Sequence, residues 1–473
     1  MKPKTSHSTL WGLRPNERLT LLIIGDLLAG VFALLFALYF WTTGDEWLEF
    51  SWKFLQTRPD PWFYFLPVIW LLMLVDIYDV HRASRWKDTL RGVLLAAVVS
   101  IGVYLLIYFT STPKSLPRRG IAAFIAAAVL LTLLWRLIYI RIFTAQPFIR
   151  RVLVVGAGNS GLTLVTMIKT LSPPPFEIVG WVDDDARKIG TSVQGYKVLG
   201  GNEMVLTLVE EQGISDLVIA ISGEMNGAMF QAILDAQEKG IRISTMQSVY
   251  EELFNRVPIF HLESDWVLRG FGEQARAGGF YELLKRLMDI VGGIVGVLIL
   301  AAIYPFVSLA ILLDTGRPVF YSQSRLGKGG QPYNIIKFRT MIVESEKDGK
   351  PQFAQEHDTR VTRVGRFLRK SHLDEIPQFV NVLLGQMSLV GPRPERPGMV
   401  QELQKSIPFY RARLLVKPGI GGWAQVNFGY AGTVEDTATK LEYDLYYIRR
   451  RNLVLDVMII IRTLGAAVGL RGQ

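Results

Sequence analysis

Hydrophobic residues gather into four long runs in the first third of the chain, at residues 19–40, 62–79, 90–110 and 121–143. Three of these runs are near the ~20 residues that cross a bilayer as a helix, and the second is shorter but rich in Trp and Leu. We therefore predict four transmembrane helices within residues 19–145, after a cytoplasmic segment of residues 1–18. The first run is too long for a cleavable signal, so we expect it to be retained as an anchor.

Basic residues are concentrated in every second segment that flanks the runs. They precede the first run, separate the second from the third, and follow the fourth: Lys2, Lys4, Arg14, Arg18, Arg82, Arg85, Lys87, Arg91, Arg141, Arg150 and Arg151. By the positive-inside rule these segments face the cytoplasm, although Lys114, Arg118 and Arg119 in the third loop argue mildly against this. An even number of spans returns the chain to the side where it began.

Two ionisable residues, Asp26 and Arg136, fall inside the predicted spans. A charge within a membrane is a functional candidate by default. Pairing between helices, or snorkelling near a helix end, is the simpler interpretation, and we assign these two residues no chemistry.

Strand and helix patterns alternate between residues 146 and 255. The stretch RVLVVGAGNSG indicates a strand that enters a turn containing Gly156, Gly158 and Gly161, and FEIVGWVDDD indicates a second strand that ends at Asp183. Further strands in DLVIAIS and IRIS complete the pattern of a Rossmann-like, doubly wound α/β domain.

The glycine turn of this domain has the spacing of a dinucleotide-binding motif. Gly156, Gly158 and Gly161 would let the backbone approach a pyrophosphate at a helix N-terminus, and Asp183 could accept a hydrogen bond from a ribose hydroxyl. Such turns also persist in domains without a ligand, and no hydride-transfer site follows this one. A bound nucleotide and a structural or regulatory unit therefore both stay open.

A fifth apolar segment, residues 290–313, follows a predicted linker of residues 256–279. Its 24 uncharged residues could cross a bilayer. However, Pro305 interrupts the helical hydrogen bonds, and basic residues such as Arg286 and Arg317 flank both ends. We predict a re-entrant helix that is broken at Pro305 and leaves the membrane on the side where it entered; a fifth span is the alternative.

Composition indicates a membrane protein with anionic partners. Half of the residues are hydrophobic and the net charge is +10, and the mean hydropathy is +0.26. The positive charge suits anionic lipid or phosphate-bearing substrates, and nucleic acid ranks last because no basic helix carries base-stacking aromatic residues. The chain has no cysteine, which excludes disulfides, thiolate zinc sites and thiol catalysis.

The C-terminal region, residues 280–473, contains four stretches that are unusually dense in Gly, Pro, Arg and Lys: SRLGKGGQPYNIIKFRTM, DTRVTRVGRFLRKSHLDEIPQ, MSLVGPRPE and KPGIGGWAQVNFGY. Glycine-rich loops provide backbone amides for phosphate, and Lys337, Arg339, Arg369 and Arg393 provide cations. We predict a phosphate-binding site here.

An acidic pair, Asp374 and Glu375, stands inside the second of these stretches. An ionised aspartate is a competent nucleophile toward phosphorus once the phosphate charge is neutralised. A neighbouring carboxylate can hold Mg²⁺. Alternatively, the pair begins a helix, where acids are favourable in the first turn.

In their order, these stretches closely resemble the bacterial polyprenyl-phosphate phosphoglycosyl transferases, which start exopolysaccharide, capsule or O-antigen units. Typical members read KFRTM, RKTSLDELPQ, SLVGPRP and KPGITGWAQV. The resemblance covers residues 280–473 strongly, and the predicted spans and α/β domain match the long form of that family.

The resemblance implies that Asp374 attacks the β-phosphorus of a UDP-sugar and expels UMP, after which undecaprenyl phosphate takes the phosphosugar. Glu375, with Asp374, is associated with Mg²⁺. Contacts with phosphates or with the nucleotide fall to Lys337, Arg369, Arg393 and Gln425. Because nucleotide sugars are cytosolic, the resemblance also favours re-entry and a catalytic domain on the cytoplasmic face of the bacterial inner membrane. It leaves open which sugar is transferred and whether the protein is a homo-oligomer.

Three positions depart from the family pattern. His372 stands where Ser or Thr is usual, and we interpret it as a surface or loop residue. Gly421 replaces a usual Thr. Phe428 and Gly429 follow Asn427 where many members have Gly-Arg, so another cation must replace that arginine, or the binding mode differs.

The apolar tail LVLDVMIIIRTLGAAVGL is too polar for a confident span. We predict either an interfacial helix or a buried core helix.

Two rival functions remain on sequence grounds. A membrane-bound nucleotide-sugar dehydratase or epimerase would use a Tyr-x-x-x-Lys pair, and Tyr281 and Lys285 have that spacing, but no second nucleotide-binding motif follows them. A non-enzymatic regulator of polysaccharide export is the other rival, and it would tolerate substitution of the acidic pair.

Overall fold

A computed structural model describes most of the 473 residues, namely 15–43, 50–74, 77–78, 83, 85–110, 117–143, 150–172, 174–262, 279–342, 360–429 and 433–467. The predicted cytoplasmic segment up to residue 14, the flanking Arg82 and Lys114, and most of the predicted linker lie outside these residues. The chain divides into two compact units, residues 1–252 and 253–473.

The first unit begins with apolar helices. They are Pro15–Thr42, Trp52–Thr57, Leu66–Met73, Trp86–Thr110 and Arg118–Phe143, with a 3-10 turn at Pro61–Phe65. By length and composition, three helices of this region could cross a membrane: Glu17–Thr42, Trp86–Leu105 and Arg118–Ile142.

The predicted span at residues 62–79 is wrong in its length. Its apolar helical part covers only Pro61–Met73. Asp76 and Asp79 follow closely in the sequence, and carboxylates are costly in hydrocarbon. The described residues of this region therefore contain three span-length helices and one shorter apolar helix.

Asp26 and Arg136 form an ion pair between two of the long helices. Arg136 Nη2 lies 2.6 Å from Asp26 Oδ2, and both side chains are fully buried. A second guanidinium nitrogen of Arg136 donates to the carbonyl oxygen of Ile77 over 3.2 Å. Pairing between helices is therefore the correct interpretation of these two charges.

The α/β region of the first unit is built on a six-stranded sheet. Its strands are β1 (Arg151–Val155), β2 (Glu177–Val182), β3 (Ser192–Val193), β4 (Tyr196–Gly200), β5 (Asp216–Ile219) and β6 (Arg242–Thr245). The order is β3-β4-β2-β1-β5-β6, and all pairs are parallel except β3 with β4.

Helices connect these strands and close the core of the region. They are Asn159–Ile168, Val205–Gln212, Gly227–Glu238 and Met246–Phe254. The four predicted strands are present, whereas the short β3–β4 pair was not predicted. Parallel strands with β1 central place the ends of β1 and β5 at one edge, where an α/β sheet opens a crevice.

The second unit contains the long helix Gly279–Thr315, followed by two small sheets. One is the antiparallel pair β7 (Phe320–Leu326) and β8 (Pro332–Phe338), and the other is the parallel pair β9 (Ser388–Val390) and β10 (Gly419–Gly421). The remaining helices are Arg363–Lys370, Gln378–Leu383, Pro397–Ser406, Trp423–Asn427, Val434–Arg450 and Leu453–Ala467.

The long helix Gly279–Thr315 is helical throughout, with Pro305 inside it. The helix therefore does not end at Pro305, so the predicted division into two helices is absent, while the bend that re-entry requires stays a prediction. A proline removes only one backbone donor and crowds the preceding turn, so a helix can continue through it. The hydroxyl of Ser308 donates to the Pro305 carbonyl oxygen over 3.1 Å.

One face of the long helix packs on the second unit along most of its length. In the first half, the small residues Gly293 and Gly296 leave room for Leu383 and Phe379, where an added Cβ would come within 2.6 Å and 2.1 Å. In the second half, Ile311 belongs to a buried cluster with side chains of the same unit. The opposite face exposes large apolar residues: Leu283, Leu287, Val291, Ile294, Leu298, Phe306, Leu309 and Leu313.

Both ends of the second unit join its core. Val257 and Ile259, which we placed in the linker, are buried with residues of the C-terminal helices. In the tail helix Leu453–Ala467, Ile459 and Asp456 are fully buried, while Val454 is 73% exposed. One face of the tail helix is therefore a core face, as one of the two predictions for it required.

Candidate active site

The acidic pair lies in a tight turn between two short helices. Residues Leu373–Glu375 form a 3-10 turn. His372 precedes them in the left-handed region with φ of 54°, and its carbonyl oxygen accepts the N–H of Glu375. Asp374 is buried, with 8% of its surface exposed, and no described residue donates a hydrogen bond to it. The turn therefore presents a carboxylate whose oxygens are available to a ligand.

The helix Arg363–Lys370 fixes the start of this turn. The hydroxyl of Thr362 caps it by accepting the N–H of Gly365. A Cβ at Gly365 would lie 2.1 Å from the Thr340 carbonyl oxygen, so only glycine permits this close approach to the chain after β8. From the last turn, Arg369 Nε donates to Thr340 Oγ1 over 3.0 Å.

Two cations hold Glu375. Lys337 Nζ lies 2.6 Å and Arg393 Nη2 3.1 Å from the same atom, Oε1. Burial acts to raise the pKa of Glu375, but Arg393 and Lys337 outweigh it and lower that pKa to about 2. Glu375 is thus ionised at neutral pH, and its Oε2 receives no hydrogen bond from the described residues.

The surroundings of Asp374 shift its pKa in the opposite direction from that of Glu375. Burial raises its pKa, and the charge of Glu375 raises it further, against the lowering effects of Lys337, Arg369 and His372. A group that is harder to ionise than an ordinary aspartate gains most from an added cation or an ordered phosphate site.

An arginine that the sequence did not single out, Arg413, supports the loop that carries Arg393. Arg413 is 7% exposed. Its Nη2 lies 2.8 Å from Asp444 Oδ2 and donates to the carbonyl oxygen of Arg393 over 3.1 Å. Its Nη1 lies 3.3 Å from Glu395 Oε1. Arg413 therefore holds the backbone of Arg393 and the side chain of Glu395, on either side of Pro394.

The structure does not place Arg339 beside the acidic pair. Its guanidinium donates to the carbonyl oxygens of Arg317 and Gly316 and to the hydroxyl of Thr315, and the residue is 6% exposed. Arg339 thus closes the C-terminal end of the long helix, and its predicted role in phosphate binding is not supported by this position.

Gln425 lies in the short helix Trp423–Asn427, and its amide nitrogen donates to the Ile420 carbonyl oxygen over 3.3 Å. Its buried Oε1 has no hydrogen-bond partner among the described residues. A buried acceptor without a donor is the kind of group that a ligand N–H or O–H satisfies.

The residues of the turn could hold Mg²⁺ only if water or substrate oxygens completed its coordination shell. The described residues contain no group of three or more His, Cys, Asp or Glu side chains arranged to hold a metal. Mg²⁺ is commonly bound by one or two carboxylates together with water and substrate phosphates. Asp374 and the Oε2 atom of Glu375 fit that pattern.

The glycine turn of the α/β region lines a cavity of about 430 Å³ at the carboxyl ends of β1 and β5. Gly156 has a φ of 103°, and a Cβ at Gly161 would lie 2.4 Å from the Gly156 carbonyl oxygen. Fold geometry alone therefore requires these two glycines. A Cβ at Gly158 would meet nothing within 4 Å. Of the three glycines in this turn, Gly158 is therefore the one that faces open space.

Asp183 lies where the sequence predicts, directly after β2, but its carboxylate is already engaged. Its Oδ2 accepts the N–H of Ala157 over 2.8 Å and lies 2.9 Å from Lys188 Nζ. Its Oδ1 accepts the N–H of Asp185. A ribose would have to share or displace these partners.

Tyr281 and Lys285, the pair that suggested a dehydratase or epimerase, converge on a buried acid. Tyr281 Oη donates to Asp456 Oδ2 over 2.9 Å, and Lys285 Nζ lies 3.1 Å from the same atom. Tyr447 Oη donates to the other oxygen of Asp456 over 2.7 Å. The cluster joins the long helix to the tail helix and gives no support to that rival.

Packing accounts for two of the departures from the family pattern. A Cβ at Gly421 would lie 2.5 Å from Thr463 Oγ1, so the tail helix occupies the space of a larger side chain. Next to it, Arg462 Nη1 donates to Asn427 Oδ1 over 3.1 Å. A cation therefore does stand beside Asn427, although it comes from the tail helix.

The matches to known families fall on either side of the boundary between the two compact units. The family described as bacterial sugar transferase matches residues 280–469. A family described as CoA-binding domain matches residues 73–246.

Several relatives are similar to part of this chain. UDP-N-acetylgalactosamine-undecaprenyl-phosphate N-acetylgalactosaminephosphotransferase of Aeromonas hydrophila is 42% identical over 224 residues, which is 47% of this chain and 52% of that protein. Undecaprenyl-phosphate glucose phosphotransferase of Komagataeibacter xylinus is 33% identical over 67% of this chain and 58% of its own length. UDP-glucose:undecaprenyl-phosphate glucose-1-phosphate transferase of Caulobacter vibrioides is 40% identical over 38% of this chain and 68% of its own length. The chain thus spans about half of the length of the first two relatives.

Proposed function

Because the chain belongs to the bacterial sugar transferase family, we propose that it transfers a sugar 1-phosphate from a UDP-sugar to undecaprenyl phosphate. The observation that carries this proposal is the turn at Asp374 and Glu375. There, a buried carboxylate that receives no hydrogen bond from any described residue lies beside a second carboxylate that Lys337 and Arg393 hold in place.

In the first step, an oxygen of Asp374 attacks the phosphorus that bears the sugar. The bond from this phosphorus to the bridging oxygen breaks, and UMP leaves with that oxygen and the electron pair. The enzyme then carries an aspartyl phosphosugar. Lys337, Arg369 and Arg393 would offset the negative charge of the diphosphate as the carboxylate approaches.

In the second step, a phosphate oxygen of undecaprenyl phosphate attacks the same phosphorus. The bond to Asp374 breaks, the carboxylate is regenerated, and the product is a lipid diphosphate that carries the sugar. No general base is required for either attack, because a carboxylate and a phosphate both react in their anionic forms, without giving up a proton in the step.

When bound at Asp374 and Glu375, Mg²⁺ would supply charge neutralisation between the carboxylates and the diphosphate. Glu375 stays ionised at neutral pH for this purpose, since Lys337 and Arg393 hold it from the Oε1 side only.

The proposal is tested by UMP release from a panel of UDP-sugars in purified membranes that contain undecaprenyl phosphate. We expect release with one or a few donors, and loss of release in excess chelator. A chain that releases no UMP with any donor, while its lipid acceptor is present, would contradict the proposed reaction. Full activity in chelator would contradict only the role of Mg²⁺.

We also propose that the long helix Gly279–Thr315 enters and leaves the membrane on the cytoplasmic side. Support comes from its packing, because both halves contact the same folded unit while the opposite face is apolar and exposed. A helix that simply crossed would separate these two sets of contacts by the thickness of the hydrocarbon, ~30 Å.

Cysteine labelling tests this topology cleanly, since the chain has no cysteine of its own. In intact cells, an impermeant maleimide should label Gln56→Cys, which lies in the predicted outer loop, and should spare Lys328→Cys. Both positions are exposed in the structure. Equal labelling of the two variants would show that residue 328 lies outside.

For the α/β region, we propose a nucleotide ligand at the cavity beside Gly158. Support comes from the open space at Gly158 and from the location of the cavity at the ends of β1 and β5. Thermal shift with CoA, NAD and UDP, each against Gly158→Val as the matched control, tests it. A shift that persists in the valine variant, or no shift with any of the three, would contradict this site.

A further inference from the structure

The short helix Leu66–Met73 and the 3-10 turn before it do not reach across a bilayer. The turn has 5 residues and the helix 8, which together span ~22 Å at ~2.0 and ~1.5 Å per residue. Hydrocarbon is ~30 Å thick. The neighbouring helices Trp86–Thr110 and Arg118–Phe143 have 25 and 26 residues and are both much longer than this helix.

A cavity of about 360 Å³ lies between these three helices. Its lining is almost wholly apolar, and only Ser100 and Tyr104 bring hydroxyl groups to it. Trp70 also lines it, but its ring N–H donates to Thr132 Oγ1 over 3.0 Å. A buried water needs two to four polar partners, so this cavity suits hydrocarbon rather than water.

One end of the cavity has the chemistry of an anion site. Tyr104 Oη is buried and has no hydrogen-bond partner among the described residues. The adjacent Tyr108 ring lies 4.5 Å below the guanidinium carbon of Arg118. Arg118 and Arg119 are exposed in the first turn of their helix, which contains no acidic residue. The N-terminal end of a helix is itself favourable for an anion.

We propose that this cavity binds one membrane glycerophospholipid, with part of an acyl chain among the three helices and its phosphate at Tyr104 and Arg118. The inference rests on the membrane location proposed for this region. A phosphate oxygen would satisfy the Tyr104 hydroxyl, and the acyl chain would fill the cavity. The lipid would thus act as a packing element of the helix bundle.

Native mass spectrometry of the full chain, released from bilayers of phosphatidylglycerol, tests the proposal. Val103→Trp places a large ring in the cavity. Val98→Trp is the matched control, because Val98 lies on the same helix, does not line the cavity and is 63% exposed. We expect the wild type and Val98→Trp to retain one phospholipid per chain, and Val103→Trp to retain at least tenfold less. Equal retention by the two tryptophan variants would overturn the proposal.

A second variant tests the head-group end without changing the cavity volume. Tyr104→Phe combined with Arg118→Gln should retain diacylglycerol as the wild type does, but should lose its preference for phosphatidylglycerol over diacylglycerol. An unchanged preference would refute the assignment of the phosphate to these two residues.

Two further arms identify the lipid and separate this site from the transfer reaction. Undecaprenyl phosphate added to the delipidated protein should not occupy the cavity in place of phosphatidylglycerol; if only the polyprenyl lipid binds in a way that Val103→Trp abolishes, the glycerophospholipid assignment is wrong. In an Asp374→Asn background, phospholipid retention should be unchanged, so the cavity result does not depend on the proposed chemistry.

Discussion

In the second unit, cations outnumber the carboxylates of the acidic turn, whereas the cavity of the α/β region contains more acids than bases. Asp374 and Glu375 lie among Lys337, Arg369 and Arg393. The lining of the α/β cavity contains three acids and one lysine: Asp183, Asp184, Glu224 and Lys188. Both sites have glycine-rich backbone, so glycine content does not distinguish them.

The two regions differ in whether the acidic side chain already accepts hydrogen bonds from its surroundings. In the second unit, Lys337 and Arg393 bind one oxygen of Glu375, and no residue that the structure describes donates a hydrogen bond to Asp374. In the α/β region, Lys188 and two backbone N–H groups engage Asp183. An acid that is saturated within its own fold stabilises that fold, while an acid without donors is available for chemistry.

Replacement of Asp374, the proposed nucleophile, gives the largest expected effect on the transfer rate. Asp374→Asn should lower transfer by more than about 10³-fold, because an amide is no nucleophile and only binding contributions remain. UMP release measured on membranes with equal amounts of inserted protein checks this. Activity within tenfold of the wild type would remove Asp374 from the mechanism.

Loss of Arg413 should have the next largest effect. Arg413→Met leaves Asp444 buried without its cation, which costs about 3–5 kcal/mol of stability when one partner of a buried pair is removed. Arg413 also holds the carbonyl oxygen of Arg393, so the rate should fall as well. Thermal unfolding and UMP release check both. The exposed neighbour Arg411 provides the control, and an equal shift in Arg411→Met would contradict a specific role for Arg413.

Replacement of His372 should change the pH dependence of the reaction. Asp374 must be ionised to attack, so activity falls as the pH falls through its pKa. The charge of His372 lowers that pKa. In His372→Ser the pKa rises, and the acid limb of kcat/KM should move to higher pH by less than about one unit. His372→Lys keeps a positive charge and should keep the limb in place. Identical profiles for all three proteins would contradict this coupling.

The smallest expected effect on transfer comes from the matched substitution in the other unit. Asp183→Asn removes the ion pair with Lys188 but touches none of the residues of the acidic turn, so transfer should stay within about twofold of the wild type. UMP release at saturating donor checks this. A loss as large as that of Asp374→Asn would show that the α/β cavity controls the reaction.

The sequence draws attention to the acidic pair because its signal is local. Asp374, Glu375 and Arg369 lie within seven consecutive residues, and their neighbours form a recognisable stretch. The structure adds the partners of Glu375, since Lys337 reaches it from β8 and Arg393 from the loop after β9. Arg413 carries no such local signal, because its partner Asp444 lies 31 residues away.

The errors have equally specific causes. Lys337 and Arg339 are two residues apart, which places both on one face of a strand. However, β8 ends at Phe338, so the alternation does not extend to Arg339, and its side chain closes the end of the long helix instead. The predicted span at residues 62–79 failed because hydropathy does not show where a helix ends. The predicted break at Pro305 failed because the loss of one backbone hydrogen bond does not end a helix.

Mass spectrometry of the full protein incubated with its UDP-sugar donor alone tests the central claim most directly. Without a lipid acceptor, the second step cannot occur, so the phosphosugar should remain on the enzyme. We predict a mass increase of one phosphosugar on the peptide that contains Asp374, accompanied by UMP, and neither product in Asp374→Asn. Release of UMP without any adduct, or an adduct on a different residue, would contradict the account.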